Sequence, residues 1–211
     1  MNIILFGAPS CGKGSQAKLI NQEFGIPQIS TGDILRENIS KKTELGKIAQ
    51  LYINDGKLVP DELVIEIIKK RLSEKDCEKG YILDGFPRTI QQAEALSKFA
   101  KIDVVIHIDV NINEIERRAL TRRVCTACKK IFSIAEKYVE VCDDCGAPLF
   151  QRDDDKLEVV RNRIQTYLNQ SQQVLEFYKK KKLLKVVFSD SSPEETYVEL
   201  RKILKPFLKK I

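Results

Sequence analysis

Apolar residues gather in short unbroken runs separated by longer mixed stretches. Ile3–Phe6, Tyr81–Leu83, Val104–Ile108 and Leu184–Phe188 are such runs, with Ile26–Ile29 a shorter one. Runs without polar alternation suit strands buried on both faces. Between them the apolar positions recur three and four apart, the spacing of a helix face. Lys13–Phe24 follows this pattern. Leu63, Val64, Ile67, Ile68 and Leu72 form one stripe, and Ile90, Ala93 and Leu96 a weaker one. Ile164, Tyr167, Leu168, Val174, Leu175 and Tyr178 mark a long helix; Tyr197, Leu200, Ile203 and Leu204 mark a last one. Strands alternating with helices predict an α/β fold whose parallel sheet is covered on both faces.

Two stretches break the alternation. Residues 30–60 read as two helices, Thr31–Ser40 and Glu44–Tyr52, with no strand between; Gly46, Gly56 and Pro60 punctuate them. Residues 123–151 lose the helical pattern and carry four of the six cysteines. Both read as insertions at the rim of the sheet. Ligands of parallel sheets bind at the strands' carboxyl ends, where insertions can serve as covers.

The first strand runs into Gly7-Ala8-Pro9-Ser10-Cys11-Gly12-Lys13-Gly14-Ser15, and a helix follows. Strand, glycine loop and helix are the setting of a phosphate-binding loop. Glycine lets backbone N–H groups close on an anion, and the helix N-terminus adds its dipole. Lys13 brings a full charge, and Ser15 a hydroxyl for Mg²⁺. The general pattern has Ser or Thr directly after the lysine; here Gly14 intervenes. An ordinary glycine-rich turn is the plainer alternative.

Cys125 and Cys128 form one C-x-x-C, and Cys142 and Cys145 another, with thirteen residues between the pairs. Two such pairs across a short hairpin predict one tetrahedral Zn²⁺ with four thiolate ligands. No coordination position stays open, so the metal is expected to be structural and to supply folding energy. Two disulfides, a redox pair and an iron site are the alternatives. Cys77 reads as a packed small residue. Cys11 lies in the glycine loop, where alkylation can reach a thiol. His107, the sole histidine, sits within a strand and reads as structural, which leaves little for a mechanism needing a histidine base.

The chain of 211 residues is 43% hydrophobic and 31% charged, which suits a globular protein with one core and small insertions. No apolar stretch reaches the length of a membrane span, and the opening residues lack a signal-peptide pattern. A cytoplasmic location is the expectation. The net charge of +6 suits nucleic acid or a cleft that gathers phosphates. Lys179–Lys182 reads as a solvated run.

Further along, the motifs become specific. They are Ile29-Ser30-Thr31-Gly32-Asp33-Ile34-Leu35-Arg36, Gly56-Lys57-Leu58-Val59-Pro60-Asp61-Glu62, and Leu83-Asp84-Gly85-Phe86-Pro87-Arg88-Thr89 with Gln92. Thr121-Arg122-Arg123-Val124-Cys125, Arg152-Asp153-Asp154-Asp155 and Arg161-Asn162-Arg163 follow. In this order, over nearly the whole chain, they resemble the adenylate kinases of the long, zinc-containing bacterial type. The resemblance implies the P-loop nucleoside monophosphate kinase fold, with a five-stranded parallel sheet flanked by helices. It implies a core of residues 1–29, 60–121 and 158–211, an AMP-binding domain of 30–59 and a zinc-binding lid of 122–157. It implies the reaction MgATP + AMP giving two ADP, with Mg²⁺ and structural Zn²⁺ as cofactors. The expected partners are ATP, AMP and ADP, with no nucleic acid or membrane partner and a monomeric chain.

The resemblance also implies roles. Ser10, Cys11, Gly12, Lys13, Gly14 and Ser15 would wrap the ATP phosphates. Arg118 would pack on the ATP base, near the backbone of Ile131 and Phe132. Ser192, in Asp190-Ser191-Ser192-Pro193, stands where the family has an adenine contact, although this segment departs from its pattern. Thr31, Arg36, Lys57, Leu58, Val59, Gly85, Phe86, Pro87, Arg88 and Gln92 would hold AMP, with Gln92 and the Gly85 carbonyl reading the adenine edge. Lys13, Arg88, Arg122, Arg152 and Arg163 would stabilise the transferring group, and Asp84 would orient Mg²⁺. Arginine suits this work because its planar donors match phosphate. Arg118 and Arg122, four apart, are expected on one helix face. Asp153, Asp154 and Asp155 are expected to cap the long helix, the latter two also locking the closed lid.

Two other readings stay open at this level. One is a relative acting on UMP or CMP, against which Thr31 and Gln92 speak. The other is a nucleotide-switched nucleic-acid binder using a zinc ribbon; the acidic Asp143-Asp144 pair and few aromatic platforms oppose it.

Overall fold

The computed structural model describes residues 1–135, 139–189 and 192–210. The chain opens with β1 (Asn2–Phe6), α1 (Lys13–Phe24), β2 (Gln28–Ser30), α2 (Thr31–Ser40), α3 (Glu44–Ile53) and α4 (Asp61–Leu72). It continues through β3 (Tyr81–Asp84), α5 (Ile90–Phe99), β4 (Val104–Asp109) and α6 (Ile112–Thr121). Three short strands follow: β5 (Arg122–Cys125), β6 (Ile131–Ser133) and β7 (Leu149–Phe150). A 24-residue helix, α7 (Leu157–Lys180), then leads to β8 (Leu184–Phe188) and α8 (Pro193–Leu204).

Five strands form one parallel sheet in the order β2-β3-β1-β4-β8. Successive side chains leave opposite faces, so one apolar run feeds two cores. Ile3 and Leu5 enter one core with Ile82, Val104, Ile106 and Ile108. Ile4 and Phe6 enter the other with Tyr81, Leu83 and Val105. Ala17 and Ile20 of α1, Ile115 and Ala119 of α6, and Leu200 and Leu204 of α8 cover the first face. Val64 and Ile68 of α4, Ala93 and Leu96 of α5, and Leu35 and Ala49 of α2 and α3 cover the second. The helix α7 serves both: Val160 and Ile164 pack into the first core, Val174 and Tyr178 into the second.

The sequence places most elements correctly. The short strand after α1 lies at Gln28–Ser30 rather than Ile26–Ile29, because Ile26 packs as a loop residue against the first core. One correction concerns Arg118 and Arg122. The helix α6 ends at Thr121, and Arg122, with φ −65° and ψ 135°, begins a strand. The two side chains therefore do not share a helix face. Lys179 to Lys182 are exposed at the end of α7, as expected of a solvated run. Among the described residues no helix is long and apolar enough to cross a membrane.

Candidate active site

β1 lies centrally in the sheet, between β3 and β4, and the chain turns to one side and then the other from it. Such a reversal opens a crevice at the carboxyl ends of the strands. Here it is a cleft of about 1590 Å³ whose walls include Phe6, Ser30, Asp84, Gly85 and Ser189, at or just past four strand ends. The glycine loop forms its floor.

In that loop Gly7 has no room for a side chain: a Cβ would stand 2.5 Å from the Ile108 carbonyl oxygen and 2.7 Å from Cys11 Sγ. Gly12, with φ 99°, starts α1 without any side-chain cap, and no acidic residue occupies the helix's first turn. The helix's first N–H groups and its positive dipole end are thus left to the cleft. Lys13 curls back, its Nζ donating to the carbonyls of Gly7 (2.9 Å) and Ala8 (2.7 Å). Ser10 holds φ 59°, and its buried Oγ has no hydrogen-bond partner among the described residues. A buried hydroxyl left unpaired is costly, and an anion in the loop would satisfy it. Cys11 is fully buried, which corrects the expectation of a thiol open to alkylation. Its Sγ fills the space beside Gly7.

At the end of β3, Asp84 is buried and accepts from Gln28 Nε2 at 2.9 Å. Burial pushes its carboxyl above the usual range, while Lys13 and Gln28 pull it back. The next residue, Gly85, has φ 78°; its carbonyl accepts from Thr31 Oγ1 and Arg88 Nε, each at 2.8 Å. A Cβ there would meet Arg88 Nη2 at 2.9 Å and Thr31 Oγ1 at 3.0 Å, so only glycine admits both side chains.

Arg36, Arg88, Arg122, Arg152 and Arg163 line the same cleft from five different segments. Arg88 keeps an exposed face, yet desolvation by the cleft walls, reinforced by Arg163, brings its guanidinium down to about 10. Burial and the nearness of Arg36 and Arg122 do the same to Arg152, also to about 10. Burial lowers Arg163 as well. Carboxylates balance part of this charge. Asp33 binds Arg36 at 2.6 Å and lies 3.8 Å from Arg152. Asp154 pairs with Arg163 at 2.9 Å and Arg36 at 3.5 Å, and Asp155 with Arg122 through two bonds. Burial pushes Asp154 up, yet Arg163 and Arg36 hold it below the ordinary carboxylate range.

The acidic triplet corrects another expectation. It forms a 3-10 turn of its own, and Lys156, at the N-cap of α7, makes no side-chain cap. Asp153 pairs instead with Lys156 at 3.5 Å. Asp154 and Asp155 face arginines rather than the helix N–H groups. Arg161 points outward and pairs with Glu116 at 3.2 Å.

On the far side of the glycine loop, Arg118 donates to Glu114 and to the Ser189 carbonyl, each at 2.8 Å. Ile131, Phe132, Arg118 and Ser192 line the cleft together. The Ser192 hydroxyl caps α8, accepting from the Glu195 N–H at 3.2 Å. Asp190 and Ser191 lie outside the described residues. Leu58, Gly85, Pro87 and Arg88 reach the cleft wall; Thr31, Lys57, Val59, Phe86 and Gln92 do not. Gln92 is 2% exposed, its Oε1 accepting from the Arg88 N–H and its Nε2 donating to Asp61, each at 2.7 Å. His107 is spent on Tyr167, 2.9 Å from Nε2, and burial lowers its pKa. It is a structural residue, as expected.

Sequence reasoning missed Gln28, Asp33, Asp61, Glu114 and Ser189. Asp33 and Asp61 fall inside motifs already recognised, yet nothing in spacing alone told their partners. Ser189 carries no signal.

The four cysteines stand at the far end of the three-stranded antiparallel sheet β6-β5-β7. All are free thiols, with Sγ atoms within 4.8 Å of one another. Cys125 and Cys145 are 3.5 Å apart, and Cys128 and Cys142 3.6 Å. Four sulfurs about 2.3 Å from a tetrahedral zinc lie roughly 3.8 Å apart. The donor set therefore fits one such ion, and disulfides, near 2.0 Å, are excluded. Lys130 binds both Asp143 and Asp144 at 2.7 Å, tying the two cysteine turns together.

Comparison with known proteins agrees with this geometry. A family profile described as adenylate kinase matches residues 5–183. An adenylate kinase of Methanocella arvoryzae is 47% identical over 209 residues, covering 95% of this chain and 97% of that protein. One from Caldicellulosiruptor bescii is 48% identical over 212 residues, covering 97% and 99%. One from Archaeoglobus fulgidus is 47% identical over 212 residues, covering 97% and 98%.

Proposed function

The chain belongs to the adenylate kinase family and is a kinase acting on a nucleoside monophosphate; from that premise we propose the acceptor, the residue roles and the motions. The acceptor is AMP and the donor MgATP, and the reversible products are two ADP. The observation that carries this is the set of five arginines and Lys13 converging on one cleft, three of the arginines with depressed pKa. A site that holds crowded, partly desolvated guanidinium groups is built for a larger negative charge than its own carboxylates supply.

A phosphate oxygen of AMP attacks the γ-phosphorus of ATP in line, and the bond from that phosphorus to the β–γ bridging oxygen breaks. AMP is mostly dianionic at neutral pH, its second phosphate pKa being about 6, so no general base is required. This agrees with the withdrawal of His107 from the cleft. Lys13 leaves the Gly7 and Ala8 carbonyls for the β- and γ-phosphates, and the open N-terminus of α1 holds the β-phosphate. Arg36 and Arg88 place the AMP phosphate. Arg122, Arg152 and Arg163 close over the group in flight, where preorganised charge contributes most. Asp84, with Ser15, would hold Mg²⁺, which supplies charge neutralisation between the donor phosphates.

Residues 30–59 act as the AMP-binding cover and 122–157 as the ATP lid. Their closure excludes water, which would otherwise hydrolyse ATP. Asp33, Asp154 and Asp155 guide the arginines between open and closed arrangements. Cys125, Cys128, Cys142 and Cys145 would hold Zn²⁺, which would crosslink a lid too small for a core of its own. The chain works as a cytoplasmic monomer.

The direct test is ADP formation from MgATP with each nucleoside monophosphate in turn. Rapid formation only with AMP is the expected outcome. Turnover with UMP or CMP instead would keep the chemistry and discard the acceptor. Silence with all of them, in folded and metal-loaded protein, would discard the proposal.

A further inference from the structure

We propose that Asp61 sets the base selectivity of the acceptor site by holding the Gln92 amide in one orientation. This rests on the reading of Gln92 as the contact to the acceptor's base. Asp61 is the first residue of α4 and reaches across to the start of α5. Its Oδ1 accepts from Gln92 Nε2 at 2.7 Å, and its Oδ2 accepts from Thr89 Oγ1 at 2.7 Å. Thr89 is the N-cap of α5, its hydroxyl accepting from the Gln92 N–H at 3.2 Å. One carboxylate thus fixes both the start of the helix and the side chain that follows.

The orientation has chemical content. A carboxylate accepts only, so it selects the NH₂ end of the glutamine. The Arg88 N–H donates only, and it selects the oxygen end, at 2.7 Å. An amide has two N–H donors and two lone pairs, and these neighbours use one of each. One N–H and one lone pair remain, and the outer edge of a primary amide carries one of each. That pair matches an exocyclic amine beside a ring acceptor nitrogen, the pattern of a 6-aminopurine. A 6-oxopurine offers the reverse order and meets donor with donor. Gln92 can read either pattern if its amide is free to turn; with Asp61 in place it reads one.

The test compares kcat/KM for AMP and IMP, which differ at the 6-position, in wild type, Asp61→Ala and Asp61→Asn. The wild type is expected to favour AMP strongly. In Asp61→Ala the AMP-to-IMP ratio should fall about tenfold or more, since one orientation is no longer enforced; a site built to hydrogen-bond a group discriminates far better than one that is not. Asp61→Asn should restore most of the ratio, because its oxygen can still accept from Gln92 while its NH₂ faces the Thr89 hydroxyl. If Asp61→Ala does not fold, Asp61→Ser supplies the same comparison, being too short to reach Gln92. An equal loss for both substrates with an unchanged ratio would overturn the proposal and leave Asp61 a structural anchor. So would an Asp61→Asn ratio as low as that of alanine. Gln92→Leu separates the levels: an unchanged ratio there, with AMP-dependent turnover intact, would overturn the base-reading role of Gln92 and the Asp61 proposal with it.

Discussion

Asp84 shows how a single residue can serve the site at the fold's expense. It is buried, held by Gln28 Nε2 at 2.9 Å, and burial pushes its carboxyl up against the pull of Lys13. A folded pKa above the unfolded value of about 3.9 gives stability that is complete below that value. The gain is lost as pH rises through the folded pKa, so ionised Asp84 burdens the empty protein at neutral pH. Asp154 has the opposite sign. Burial raises it, but Arg163 and Arg36 leave it depressed, so its contribution is present above the unfolded value and lost as the pH falls. Asp84→Asn should therefore raise the neutral-pH melting temperature of unliganded protein by a few degrees. It should also lower turnover by roughly 10²-fold or more, because the site would hold Mg²⁺ less well. Thermal melts and ADP assays on one preparation check both. A fall in melting temperature would show that the carboxylate anchors the strand end.

At the level of elements, the four-cysteine hairpin offers a donor set for one ion, and its stability is where that ion would tell. Among its described residues Val124, Cys125 and Cys142 are the buried apolar and thiol ones, too few for a core. Stripping the metal with a strong chelator should lower the melting temperature or split off an early transition. Turnover by the protein that stays folded at low temperature should survive. Calorimetry beside an activity assay reads this, and immediate loss of turnover in fully folded protein would place the metal in the chemistry. The hairpin was legible in advance because C-x-x-C spacing is a local constraint. The strands and helices were legible because burial on two faces, or on one stripe, leaves a period in the sequence. What escaped was set across space. Arg122 looked helical until the helix ended one residue earlier. Asp153, Asp154 and Asp155 looked like caps because acids before a helix often are; two of them instead answer arginines from α2, β5 and α7. Gln28 and Asp61 give no periodic signal at all, since their partners lie 56 and 31 residues away.

For the molecule as a whole, the net charge of +6 matters less than where its buried part lies. Lys13, Arg36, Arg88, Arg122, Arg152 and Arg163 are among the cations lining the cleft, and Asp33, Asp84, Glu114 and Asp154 among its carboxylates, while Asp155 is fully buried behind Arg122. The empty protein thus carries an electrostatic burden that a polyphosphate would lift. Inorganic tripolyphosphate supplies that charge without a base, so it should raise the melting temperature. At about 100 times its Kd the gain would be about 2.7 kcal/mol, or roughly 5–10 °C for a chain this size. Because the attraction is coulombic, the gain should shrink between low salt and several hundred millimolar, where the Debye length falls below about 5 Å. Arg88→Met should lose part of the anion-induced rise while melting no lower than wild type when empty. It removes a guanidinium whose pKa desolvation in the cleft and its neighbour Arg163 have brought down to about 10. If tripolyphosphate left the melting temperature unmoved, or if Arg88→Met alone melted well below wild type, the arginines would be balanced by their own carboxylates. The cleft would then not be poised for phosphate.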